Sequence, residues 1–86
     1  MPYRVQFNAH AERVFAKLPR EVQVRLAPRI LALADSPRPG GCRKLEGADA
    51  YRNRVGDYRI VFDISDLSQT VTITDTAHRS KVYKRR

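Results

Sequence analysis

Apolar and polar positions follow two rhythms along this chain, and the rhythm changes near Cys42. Tyr3, Val5 and Phe7 alternate with Arg4 and Gln6, the period of a short half-buried strand. Asn8 then stands where a helix cap is wanted. Ala11, Val14, Phe15 and Leu18 fall at i, i+3, i+4 and i+7, an apolar stripe that Pro19 ends. Val22, Leu26, Ile30 and Leu33 repeat the helical period, with Glu21, Arg25 and Arg29 on the other side. Pro28 lies inside this second pattern. It removes a backbone hydrogen bond to Val24 at a cost of about 3 kcal/mol in an ideal interior, which predicts a kink or break over residues 24–28. The helix stops before Asp35-Ser36-Pro37, and Arg38-Pro39-Gly40-Gly41 reads as a loop.

From Cys42 the period becomes two. Cys42 to Leu45 reads as extended, Glu46 to Asp49 as a turn, and residues 51–59, YRNRVGDYR, as a hairpin closed by Gly56-Asp57 with glycine first, as a type II′ turn wants. Such a turn pairs Val55 with Tyr58, Arg54 with Arg59 and Arg52 with Val61. Tyr58, Ile60, Phe62 and Ile64 then share a core face, and Arg59, Val61 and Asp63 point away. Thr70 to Thr76 alternates again, with Val71 and Ile73 inward and all four threonines outward. The expected fold class is α+β: an N-terminal strand, a two-helix hairpin, then a three-stranded antiparallel meander. Together these form one mainly antiparallel sheet with both helices on one face. Nothing suggests a second domain, so 1–86 is read as a single unit.

Charge changes the picture more than composition does. Of 86 residues, 42% are hydrophobic and 30% charged, an ordinary globular balance, but 17 Lys and Arg against nine Asp and Glu leave +8. Thirteen of the basic residues are arginine, the side chain suited to bidentate phosphate recognition, which points first to nucleic acid and then to an anionic membrane surface or an acidic protein. The longest apolar run, Ile30 to Ala34, is far too short to span a bilayer, and MPYRVQF lacks the pattern of a signal peptide, so the expected location is the cytoplasm. Cys42 with His10 and His78 makes no zinc constellation, and the scattered carboxylates do not suggest a two-metal phosphoryl site. No cofactor or metal is expected.

The arginines of the hairpin need a reason. Arg54 opposite Arg59 sets like charges on one face, which costs roughly 0.2 to 1 kcal/mol where an ordinary pair would stabilise. Splaying into water is the simplest account, and a phosphate site is the functional one. The geometry predicts Arg52, Arg54 and Arg59 on the face the helices leave open, and the last strand runs back so that Arg79 and Tyr83 can approach them. Metal-free cleavage of RNA suits such a site, because the ribose 2′-OH supplies the nucleophile and the protein supplies alignment and positive charge. His78 and Tyr83 are candidate proton carriers, although a strand-end histidine and a packed edge aromatic are the simpler readings. Lys44, Lys81 and Lys84 are candidate RNA contacts, or plain solvated cations.

The series KLEG, YRNRVGDYRIVF and HRSKVY, placed after a strand and a helical hairpin of this length, resembles the RelE/ParE superfamily of toxins from type II toxin-antitoxin modules. The resemblance covers essentially the whole chain. It implies a toxin held inactive by a cognate RelB-like antitoxin. The RelE-like branch further implies metal-independent, ribosome-dependent cleavage of mRNA. By this resemblance Arg52 and Arg54 take the basic pair that a well-known member fills with lysines, and Arg59 the phosphate-stabilising arginine. Arg79 would protonate the leaving group, Tyr83 would stack on or orient the RNA, and His78 occupies a place where some relatives carry a catalytic histidine. The alternatives are a ParE-like inhibitor of DNA gyrase on the same fold, or a non-catalytic nucleic-acid-binding module.

Overall fold

The computed structural model describes residues 2–44 and 50–78. Strand β1 (Arg4–Phe7) leads into α1 (Ala9–Ala16) and α2 (Arg20–Leu31), followed by a 3₁₀ turn at Ala32–Ala34. Strands β2 (Arg43–Lys44), β3 (Ala50–Val55), β4 (Tyr58–Ser65) and β5 (Thr70–His78) complete a five-stranded mixed sheet in the order β1-β5-β4-β3-β2. The antiparallel meander holds as expected, and β1 joins it in parallel with β5, Val5 opposite Val71 and Phe7 opposite Ile73.

The local signals act as their chemistry dictates. The Asn8 side chain accepts from the Ala11 N–H at 2.8 Å and caps α1. At the α1–α2 junction the Gln23 amide donates to the carbonyls of Phe15 (2.9 Å), Ala16 (3.2 Å) and Leu18 (3.2 Å), tying the end of α1 to α2; the Phe15 carbonyl also accepts from the Leu18 N–H at 3.1 Å. The predicted break at Pro28 does not occur: α2 runs unbroken to Leu31. The reason is position. Pro28 is exposed and Val24 is 61% exposed, so the carbonyl that loses its partner lies on the solvent side of the helix, open to water.

One apolar cluster joins Ala11, Leu26, Ile30 and Leu33 of the helical layer to Ile60, Phe62, Ile64, Val71 and Ile73 of the sheet. Phe62, Leu26, Ile60, Ile73 and Val71 are fully buried, each contributing on the order of 1.5–3 kcal/mol. Tyr51 stacks on Phe62 with ring centroids 6.0 Å apart. Among the described residues no helix covers the other face of the sheet.

The alternation in β5 departs from expectation. Val61 pairs with Asp75 but Phe62 pairs with Ile73, so Thr74 is an extra, bulged residue. Its hydroxyl donates to the Val61 carbonyl at 3.2 Å. Beyond the bulge the faces exchange, and Thr76, expected outward, turns into the core opposite Ile60 at 2% exposure. Its Oγ1 is buried with no hydrogen-bond partner among the described residues. A buried hydroxyl without a partner carries a desolvation cost of about 1–3 kcal/mol. Thr76→Val keeps the shape and removes that cost, so it is expected to raise unfolding free energy by about 1 kcal/mol in urea titrations. A loss of stability would mean that the hydroxyl is bonded.

A polar clasp fixes the loop that leads to β2. Asp66 accepts from the Tyr3 hydroxyl (2.6 Å) and from Arg38 (Nη1 at 3.3 Å and Nη2 at 2.9 Å), while Arg38 Nε donates to the Tyr51 hydroxyl at 3.2 Å. Hydrogen bonds from Arg38 and then Tyr3 hold the Asp66 carboxyl below its ordinary value of 3.8, and the bond to Asp66 raises the Tyr3 hydroxyl. A depressed carboxyl stabilises the fold at neutral pH and loses that contribution as pH falls through its folded value. Asp66→Asn is therefore expected to lower the urea midpoint slightly at pH 7, with the gap from wild type closing below the ordinary carboxylate range. A gap that stays constant with pH would rule out the ionic part of the clasp. The effect is small because the groups are exposed and solvent screens them.

Candidate functional site

The site grows from one turn. Gly56 has φ +61° and Asp57 does not share the positive φ, the signature of a type II′ two-residue loop. Val55 pairs with Tyr58, so Arg54 stands directly opposite Arg59 and Arg52 opposite Val61. Tyr51 and Val55 pack on the helix side, which sends Arg52, Arg54 and Arg59 to the open face.

A fourth arginine joins them from the start of β2. The Cys42 N–H donates to the Pro39 carbonyl at 3.1 Å, Gly41 takes φ +87°, and the chain enters β2 with Arg43 opposite Arg52. A left-handed φ is where glycine belongs, so the turn that presents Arg43 is locally encoded. Arg43, Arg52, Arg54 and Arg59, with Gly41, line a cavity of about 320 Å³. None of the four guanidiniums has an ion-pair partner among the described residues. No carboxylate, lysine or histidine lines the cavity among those residues.

Such an arrangement opposes folding. Two like-charged pairs sit directly opposite, Arg43 with Arg52 and Arg54 with Arg59, each costing roughly 0.2–1 kcal/mol. An anion reverses the sign: guanidinium forks donate paired N–H groups to phosphate oxygens, and the low-dielectric wall of the sheet strengthens the attraction.

The other candidates fall elsewhere. Lys44 pairs with Tyr51 and so belongs to the opposite face from Arg43. His78 pairs with Tyr58, its ring edge-on at 5.1 Å and 89°, on the helix side of the sheet. The bulge at Thr74 put it there. Arg79, Lys81, Tyr83 and Lys84 lie outside the described residues, as does the turn expected at Glu46. Arg43 was not among the expected site residues. Its signal was Cys42, which packs half-buried against the core and thereby sends its neighbour to the other face.

Among the described residues no group of three or more His, Cys, Asp or Glu is placed to hold a metal ion, and no helix is long and apolar enough to cross a membrane.

Comparison with known proteins agrees with this architecture. A family model described as the ParE toxin of the type II toxin-antitoxin system parDE matches residues 2–83. Toxin RelG of Mycobacterium tuberculosis is 36% identical over 95 aligned positions, covering 99% of this chain and 100% of that protein. The RelBE2 toxin-antitoxin complex of the same organism contains a chain that superposes with TM-score 0.82 at 30% identity, over 92% of this chain and 100% of that one. The archaeal RelE–RelB complex of Pyrococcus horikoshii gives TM-score 0.80 at 27% identity, over 95% and 100%. The intact RelBE complex of E. coli gives 0.77 at 25%, over 88% and 95%.

Proposed function

We propose that this chain, which belongs to the ParE toxin family of type II toxin-antitoxin systems, acts as a ribosome-dependent, metal-independent endoribonuclease that cuts mRNA in the cytoplasm. The observation that carries the reading is the pocket of four guanidiniums on the open face of the sheet, without an ion-pair partner among the described residues.

In the proposed reaction the ribose 2′-oxygen attacks the adjacent phosphorus and its proton departs. The bond from phosphorus to the 5′-oxygen breaks, that oxygen takes up a proton, and the products carry a 2′,3′-cyclic phosphate and a 5′-hydroxyl. Negative charge builds on the non-bridging oxygens at the transition state. Arg54 and Arg59, facing one another on rigid strands, are the groups to receive it, and Arg52 holds the strand beside them. Arginine is not deprotonated in proteins, so none of these residues is the base. Family resemblance assigns Arg79 to the leaving oxygen and Tyr83 to orienting the RNA; because arginine keeps its proton, Arg79 would act there through its charge and a hydrogen bond, and the leaving oxygen would take its proton from solvent.

The inhibitor implied by this reading is a RelB-like antitoxin, the partner with which several relatives crystallised. A second cavity of about 350 Å³ supports it. Leu33, Ile60 and Phe62 give that cavity apolar walls on the helix side, with Arg29, Asp35 and Asn53 also lining it. It suits an amphipathic segment, as the net charge of +8 suits an acidic one.

Inducible expression followed by mapping of mRNA 5′ ends tests the function. New ends within translated frames, lost when initiation is blocked, are the expected result. Intact mRNA with induced DNA damage would replace this reading with gyrase inhibition.

A further inference from the structure

The four arginines are arranged as two forks, and the offset between the forks carries information. Arg43 and Arg52 face each other across β2 and β3, and Arg54 and Arg59 face each other across β3 and β4. Along β3 the forks are two residues apart, and sideways they are one strand apart. Strand rise and spacing then put their centres about 8 Å apart. That is close to the step between neighbouring phosphates on an extended single strand.

Charge and valence point the same way. A phosphodiester carries one negative charge and two non-bridging oxygens, and two guanidiniums satisfy both. Four guanidiniums around one phosphodiester would leave three positive charges uncompensated; around two they leave two, and each phosphate then has one fork to itself. The cavity, about 320 Å³, has room for more than one phosphate group.

We infer that the pocket grips two consecutive phosphates of an RNA strand, one in the Arg54/Arg59 fork and its neighbour in the Arg43/Arg52 fork, and that Arg43 is the residue holding the second. The identity of the ligand as RNA rests on the reading given above. The two-phosphate grip sets the axis along which the strand crosses the sheet and holds a neighbouring phosphate in place while one occupies the Arg54/Arg59 fork.

Calorimetric titration of the purified toxin with adenosine 3′,5′-bisphosphate and with adenosine 5′-monophosphate tests the grip without any cleavage. Wild type is expected to prefer the bisphosphate by tenfold or more. Arg43→Ala should erase most of that preference while leaving monophosphate affinity within about twofold. For a 2′-O-methyl pentanucleotide, which cannot be cut, the slope of log K against log salt should fall by about 0.7 in Arg43→Ala and return in Arg43→Lys. Thermal melts check the fold, and loss of an exposed like charge should not lower them. Equal loss on both nucleotides, or an unchanged preference, overturns the inference. Failure of the ribonuclease reading looks different: mRNA ends stay intact while the bisphosphate preference persists.

Discussion

Arg59→Ala is expected to lower single-turnover cleavage of ribosome-bound mRNA by roughly 10²–10³-fold, the usual cost of removing one preorganised donor to a developing oxyanion. The same change is expected to leave the folded state at least as stable. Arg59 sits on β4 between β3 and β5, half-buried and held by ladders on both sides, so its guanidinium acts from a rigid base. Its like-charged neighbour is Arg54, and removing that opposition returns roughly 0.2–1 kcal/mol to the sheet. Activity and stability therefore move in opposite directions, which a packing residue cannot do. Arg59→Lys keeps the charge but loses the planar fork and should fall between the two. The measurement pairs cleavage rates with urea melts, and a folded Arg59→Ala that cuts within threefold of wild type would remove Arg59 from the chemistry.

The hairpin was the most legible part of the chain because its information is local. A two-residue turn at Gly56-Asp57 leaves one register, and that register dictates that Arg54 meets Arg59. Asn8 as a cap and the stripe through Ala11 were legible for the same reason. The parallel pairing of β1 with β5 was not, since it joins residues more than sixty positions apart and leaves no mark in either segment. The bulge at Thr74 was hidden by sameness: four threonines at alternate positions look alike, and only tertiary pairing shows which one is extra. That single residue moved Thr76 inward and His78 to the helix side, so a local irregularity altered the candidate site. Pro28 shows the reverse error. The lost hydrogen bond was read correctly, but its cost depends on whether the freed carbonyl faces water.

Arg43 and Lys44 make the same point about parity. In a two-residue strand the sequence offers no alternation to count, and a basic residue is found at both positions. Half-burial of Cys42 decides between them, and the decision moves the open-face cation from lysine to arginine. The site thereby becomes more uniform than the sequence suggested. Every basic group lining the cavity among the described residues is a guanidinium.

That uniformity has a kinetic consequence. Cleavage requires the 2′-OH to lose a proton, and a general base must have a pKa within reach of the working pH. Arginine does not meet that condition, Lys44 and His78 belong to the other face, and no carboxylate lines the pocket among the described residues. A site built from the described residues alone leaves the proton to solvent hydroxide, whose concentration rises tenfold with each pH unit. On the proposed mechanism single-turnover cleavage should accordingly climb log-linearly with slope near one from pH 6 to pH 9, about 10³-fold in all, because guanidiniums stay charged throughout. A histidine base would instead bend the profile near pH 6.5 and flatten it above. His78→Ala is the matched control: rate and profile should stay within about threefold of wild type at every pH. A plateau above pH 7 that disappears in His78→Ala would place the histidine in the reaction and overturn the electrostatic account of the site.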